Sequence, residues 1–377
     1  MECDFLIVGS GLTGAVIARK LADAGQSVLV LDRRLHLGGN VHDHRHGSGV
    51  RVHTYGPHYF RTNNEDIWRF VNAFSAFYKY EAVLKSYVDG ALENWPVAES
   101  YVRRLCGADW CPAFTGQPNN FEEASLAMMP RLVYEKFVKT YTEKQWGVPA
   151  SQLSPLLARR FNMRQDDEPR LTRHKYQGLP EGGYASLMQN MLAHIPIVLG
   201  CDYLQHRNEF RARLGTVFTG PMDNYFGYDL GRLKYRGQNR EHIYLPDTDF
   251  KQPCGQVNNP DPNGGPHIRT LEWKHMMPPA EARSITGTVL TRETAITPAD
   301  ENDFEYPFPD EANARLFAAY RERARKIPRL LICGRLGEYR YYDMDQAIAR
   351  ALLLADRLLN QWGGKSTTPI IHEHAGH

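Results

Sequence analysis

The sequence predicts an α/β fold with an α+β remainder: a Rossmann-type domain, a helical bundle domain and an antiparallel β-sheet domain. Three observations carry that expectation. Residues 4–32 run as apolar strand, glycine turn, amphipathic helix and apolar strand. Residues 98–160 are mostly helical in pattern, and from Gly183 short strands alternate with turns. The stretch "RLLICGRLGEYRYYDMDQAIARALLLADRLLNQW" then returns to strand, loop and long helix, so the first domain is expected to be discontinuous.

Length and charge bound the rest. At 377 residues the chain is long enough for two or three lobes of ~100–200 residues each. With 45 basic and 43 acidic residues the formal net charge is +2, so no global field points to nucleic acid or to an acidic membrane. No apolar run approaches the ~20 residues that span a bilayer, and the N-terminus opens directly on a strand without a basic leader. The expectation is a cytoplasmic protein with no membrane and no nucleic-acid partner. Six scattered cysteines without a CxxC pair read as reduced thiols, with no metal site.

The elements follow in order. Phe5–Val8 is a buried strand, Leu12–Ala24 a helix and Ser27–Leu31 a second strand closed by Asp32. Gly9, Gly11 and Gly14 form G-x-G-x-x-G at the strand-to-helix turn, where a pyrophosphate meets the positive end of the helix. Asp32 and the following Arg33 lie where an acid hydrogen-bonds an adenosine ribose. A second glycine pair in "DRRLHLGGN", Gly38-Gly39-Asn40, resembles the extended signature of FAD-binding chains and favours FAD over NAD. Short strands and loops fill 41–62, a helix starts at Asn64, and "KSYVDGALENWPV" reads as a hairpin. The polar, proline-containing "MRQDDEPRLTRHK" lacks an apolar period, as a closing loop would. The expected domains are 1–65 with 175–195 and 325–377 for the cofactor, 66–160 helical, 161–175 a mobile loop and 196–324 the antiparallel sheet.

The motifs "YGPHYF", "TYTEKQWG", "YQGLPEGGY", "TGPMDNYF" and "GRLGEYRYYDMDQAI" occur in this order. Together they resemble the UDP-galactopyranose mutase family, from about residue 4 to about residue 357. The resemblance implies an FAD-dependent isomerase that interconverts pyranose and furanose forms of a nucleotide-linked sugar through attack of the reduced flavin N5 on the anomeric carbon. It implies NAD(P)H as external reductant, and it is compatible with a homodimer.

The resemblance also implies residue roles. Arg164 and Arg269 match two diphosphate arginines, and planar guanidinium groups suit bidentate phosphate contact. Tyr176, Tyr306 and Tyr341 match tyrosines whose phenols bond the diphosphate. Phe137 and Tyr141 match positions flanking the base, Thr142 and Asn258 (or Asn259) nucleoside contacts, and Trp146 a residue beside the closing loop. Arg335, Asp343 and Met344 match positions close to the flavin, and His58 is the first histidine of the family's H-x-x-H.

The departures from the family bear on the sugar. Arg61 stands where the second histidine is usual, Ala82 where an asparagine touches the sugar, Trp95 where an aliphatic side chain is usual and Val138 where a second phenylalanine often follows. Arg61 could hold an acetamido carbonyl, a carboxylate or a relocated hydroxyl, or it could simply pair with Glu65. UDP-galactose, UDP-GalNAc and a dTDP-linked 6-deoxyhexose therefore stay open as substrates. Two other classes stay open as well: an amine-oxidase-like flavin oxidoreductase and a non-catalytic nucleotide-sugar binding protein. The histidines His42, His44, His46 and His53 read as a solvent-exposed hairpin, and "HEHAGH" as a disordered end.

Overall fold

In the computed structural model, which describes residues 1–362 except 162, the apolar run after Met1 becomes the middle strand of a five-stranded parallel sheet. The strand order is Ile197–Leu199, Val28–Asp32, Glu2–Val8, Arg211–Phe218, Leu330–Ile332. Successive side chains of a strand leave on opposite faces. Phe5 and Ile7 accordingly enter the core beneath helices Leu12–Asp23 and Met344–Trp362, while Leu6 packs with Leu29 and Leu31 on the other face.

A seven-stranded sheet forms the second layer, in the order Tyr306–Pro307, Tyr235–Leu245, Thr288–Ile296, Arg269–Glu272, Gln256–Asn258, Leu84–Val88, Ala91–Trp95. Its pairings are antiparallel except for Gln256–Asn258 beside Leu84–Val88. One apolar core joins the two sheets, running from Phe5 and Val217 through Tyr184 and Met188 to Leu271 and Trp273. A separate core holds the helical part, where Tyr101, Phe121, Tyr134, Phe137 and Trp146 are buried together.

The strands fall across the chain differently from the expected boundaries. Ile197–Leu199 and Arg211–Phe218 lie in the parallel sheet, so residues 196–218 belong beside the cofactor strands and not with the antiparallel sheet. Arg211–Phe218 is covered on both faces, Val217 in the core shared with Phe5 and Ile7 and Phe218 on the other side with Met222 and Tyr320. Within 66–160 the hairpin Leu84–Val88 and Ala91–Trp95 extends the seven-stranded sheet, and Glu65–Asn72 packs Ile67 and Val71 into the shared core. Asn64 caps that helix, its Oδ1 accepting from the N–H groups of Asp66 and Ile67.

His53 also departs from expectation. It is 3% exposed, its ring packed against Tyr184 and Trp273, so it is a core histidine and not part of an exposed hairpin. The "HEHAGH" tail lies outside the described residues.

Candidate functional site

The first cavity is built on the glycine turn. A Cβ on Gly14 would sit 1.9 Å from the Gly9 carbonyl oxygen, so only glycine lets the helix start directly on the turn. Gly11 caps helix Leu12–Asp23 without a side-chain bond, and its own Cβ would meet nothing nearer than 3.8 Å, so no side chain occupies the helix start. The second glycine pair closes over the first. The Gly38 N–H donates to the Ser10 carbonyl at 3.1 Å, and a Cβ on Gly39 would fall 2.9 Å from Gly11 Cα. Asp32 ties the turn together: Oδ2 accepts from the Ser10 N–H at 2.7 Å and from its hydroxyl at 2.6 Å, and Oδ1 accepts from the Arg34 N–H at 2.9 Å. Every residue expected to hold the cofactor lines this cavity except Asp343.

A second cavity of about 590 Å³ opens between the sheet and the helical part, and it shares Asn40, His58, Arg335 and Met344 with the first. A π-helical turn over Tyr134–Lys139 brings Phe137 to it, and the α-helix Thr140–Trp146 that follows brings Tyr141, Thr142 and Trp146. The Thr142 hydroxyl is buried and makes no hydrogen bond. Asn258 and Arg269 face each other across an antiparallel pair and also line the cavity. Tyr306 and Tyr341 stand with ring centroids 6.1 Å apart and nearly parallel, and the Arg335 guanidinium lies 5.8 Å and 5.1 Å from their centroids. An aromatic end and a cation-and-phenol end in one cleft suit a base joined to an anion.

Comparison with known proteins bears directly on this arrangement. A family profile described as UDP-galactopyranose mutase matches residues 136–341, and one described as an NAD(P)-binding Rossmann-like domain matches residues 7–74. The chain is 33% identical to a probable UDP-galactopyranose mutase of Klebsiella pneumoniae, covering 97% of each chain. The chain belongs to the UDP-galactopyranose mutase family. That is a family of isomerases. The chain is also 31% identical to dTDP-fucopyranose mutase of Escherichia coli, over 92% of this chain and 96% of that one. A crystal structure of reduced UDP-galactopyranose mutase matches its fold with a TM-score of 0.69 at 15% identity, covering 95% of this chain and 96% of that chain. A putrescine oxidase structure shares the fold at a TM-score of 0.58 and 12% identity, covering 96% and 100%.

Within this family member, Arg269 is held in place by a buried carboxylate. Its Nε donates to Glu293 at 2.5 Å, Arg240 Nε donates to the other Glu293 oxygen at 2.8 Å, and Arg240 also grips Glu305 at 2.8 Å. Burial opposes the charge on Arg269, but Glu293 together with Tyr141 and Tyr306 outweighs it and raises the guanidinium well above its usual range. Burial likewise works against the Glu293 carboxylate, and the two arginines hold it below the usual value. Glu305, which lines the cavity, is pushed up by burial against the pull of Arg240. None of Glu293, Arg240 and Glu305 carries a motif, and only the packing of their strands brings them together. Arg159, on the short turn Pro155–Arg160, also lines the cavity and carries no motif.

His58 is neutral. Burial lowers its pKa well below the usual value, with His53 and Arg335 adding to the effect. Its Nδ1 lies 2.7 Å from the Gly56 carbonyl, an acceptor only, so Nδ1 carries the proton and Nε2 is free to accept.

Two expected residues are not brought to the cavity. Arg164 folds back on its own loop, donating to the carbonyls of Arg170 at 2.5 Å and Leu171 at 3.2 Å. Tyr176 lies flat on Trp68, centroids 5.4 Å apart, with the Lys175 ammonium over its ring. Arg61 pairs with Asp343 at 3.0 Å, not with Glu65, and Tyr341 donates to the same carboxylate at 3.2 Å. Asp343 therefore sits in the second cavity. Of the departures, Trp95 lines that cavity and stacks parallel to Phe137, whereas Ala82 and Val138 are buried away from it. Asn259 is turned into its own loop, with Nδ2 donating to the carbonyls of Gly264 and His267, which leaves Asn258 as the cavity residue.

Proposed function

We propose that this protein interconverts the pyranose and furanose forms of a pyrimidine nucleotide-linked hexose, UDP-galactose or a close relative, with FAD as its resident cofactor. The observation that carries the reading is the joining of the two cavities through Asn40, His58, Arg335 and Met344. A dinucleotide seated on the glycine turn would be held by Gly11, Gly39 and the helix N-terminus and by Asp32, with Arg335 and Met344 at the junction. When bound and reduced, a flavin supplies a nucleophilic nitrogen for the anomeric carbon.

The chain's own residues would manage the charge. Departure of the nucleoside diphosphate leaves extra negative charge on the phosphates, which Arg269, Arg335 and the Tyr306 phenol would receive, with Tyr341 joining once its hydroxyl leaves Asp343. Because Glu293 already fixes Arg269, that guanidinium needs no reorganisation as the bond breaks. His58, being neutral, adds no cation beside the reacting ring and offers Nε2 as an acceptor. Arg164 would join the diphosphate only after leaving the carbonyls of Arg170 and Leu171, which fits a loop that closes on substrate.

A second sugar is favoured by one observation: Arg61 and Asp343 form a polar pair inside the cavity, where their N–H and carboxylate groups could meet an acetamido group. UDP-GalNAc, or a dTDP-linked 6-deoxyhexose, would be turned over by the same chemistry.

The test uses the purified protein. Its absorption spectrum should show a bound flavin. Dithionite-reduced and oxidised samples are then incubated separately with UDP-galactofuranose, UDP-GalNAc and dTDP-fucose, and products are resolved by anion-exchange chromatography. Isomerisation in the reduced sample alone is expected, the fastest substrate naming the sugar. Flavin oxidation of an amine, with no isomerisation of any nucleotide sugar, would replace the mutase reading by the oxidoreductase one.

A further inference from the structure

The segment Tyr141–Gly147 contributes to the cavity through Tyr141, Thr142, Gln145 and Trp146, yet Lys144 does not line it. Its ammonium instead donates to the Asn259 carbonyl at 3.1 Å and to the Asp261 carbonyl at 2.7 Å. Those carbonyls open the loop that joins strand Gln256–Asn258 to strand Arg269–Glu272, and the strands carry Asn258 and Arg269 at facing positions. The loop is tied within itself, since Asn259 bonds Gly264 and His267 at 2.9 Å each. Lys144 therefore grips a body that is already ordered.

The same helix end is fastened elsewhere. The Gln145 carbonyl accepts from Arg236 Nε at 2.9 Å, and the Gln145 amide oxygen accepts from Gln238 at 3.0 Å. A cation at a helix C-terminus meets the negative end of the helix dipole, which supports Arg236 there. Without Lys144 the helix stays bonded to strand Tyr235–Leu245, and what is lost is its tie to the loop between the cavity strands.

We propose that Lys144 is a positioning residue that sets the spacing between Tyr141–Thr142 and Asn258–Arg269, and that nucleotide affinity depends on this spacing. The inference rests on the nucleotide-sugar reading of the cavity. The flavin-loaded wild type, Lys144→Met and Lys144→Arg are titrated calorimetrically with UDP and with dTDP, and KM and kcat are measured for the preferred sugar. Lys144→Met should weaken nucleotide binding and raise KM about tenfold, the scale of a lost charge-assisted hydrogen bond. Its kcat should fall far less, its flavin content should hold, and Lys144→Arg should recover most of the affinity.

Unchanged affinity in Lys144→Met overturns the proposal. So does a loss of kcat and melting temperature with KM unmoved, because that pattern marks a residue needed only for folding. A wild type that binds neither nucleotide would overturn the functional reading itself, and the positioning role with it.

Discussion

Arg61 shows how a single side chain can alter a cavity without adding net charge to it. Its guanidinium is compensated by Asp343 at 3.0 Å, so a sugar carboxylate would have to displace that partner, whereas a neutral carbonyl or hydroxyl needs only a remaining N–H. Arg61→His should shift the ratio of kcat/KM toward UDP-galactose and away from UDP-GalNAc by roughly tenfold, one hydrogen-bonding group. An unchanged ratio would mean that Arg61 does not read the sugar. For Arg269→Ala the expected loss in turnover is ~10²–10³-fold, as for removal of a preorganised oxyanion donor. Flavin should stay bound, and thermal melting should drop because Glu293 keeps only Arg240. A near-normal rate in that variant would remove Arg269 from the diphosphate site.

At the scale of elements, the two glycine stretches act as one clasp. A methyl at Gly14 has the Gly9 carbonyl 1.9 Å away, so Gly14→Ala should push helix Leu12–Asp23 off the turn and yield protein without bound flavin. Gly47→Ala, with open space around its Cβ, should match the wild type in flavin-to-protein absorbance ratio. Full flavin content in Gly14→Ala would contradict the clasp. The strand, turn, helix and acid of residues 4–32 were legible because spacing alone defines them. The docking of Gly38 on Ser10 was not, since it is a long-range contact between two loops. Motif positions located Phe137, Tyr141, Tyr306 and Tyr341 in the cavity, but nothing in "VYEKFVK" announces its π-helical turn. Arg164 and Tyr176 defied expectation because local partners, the Arg170 and Leu171 carbonyls and the Trp68 ring, decide where those side chains rest. Glu293 and Arg240 were invisible because each is an ordinary strand residue until the partner strand places it.

For the whole molecule, buried histidines set an acid limit. His53 is held down to about 4 by burial, from an ordinary 6.5, and burial also lowers His58 well below its ordinary value. In the unfolded chain both take up a proton below about 6.5, while the folded protein keeps them neutral. Unfolding thus consumes protons in that window, and stability must fall as pH drops from about 6.5 toward 4. The denaturant midpoint at pH 5 should lie clearly below that at pH 7, and equal midpoints would show that neither ring resists protonation.

The order of strands in the parallel sheet has a consequence for synthesis. Glu2–Val8 leaves the ribosome well before its neighbour Arg211–Phe218, and the edge strand Leu330–Ile332 with Arg335 comes later still. Until then the apolar strand that founds the core is short of a partner and open to wrong pairing, a situation in which large domains call on chaperones. A nascent chain that stops short of Arg335 lacks one wall of each cavity. On the FAD reading, a wild-type chain cut short before Arg335 should purify without the yellow of oxidised flavin, while the full-length chain should carry it.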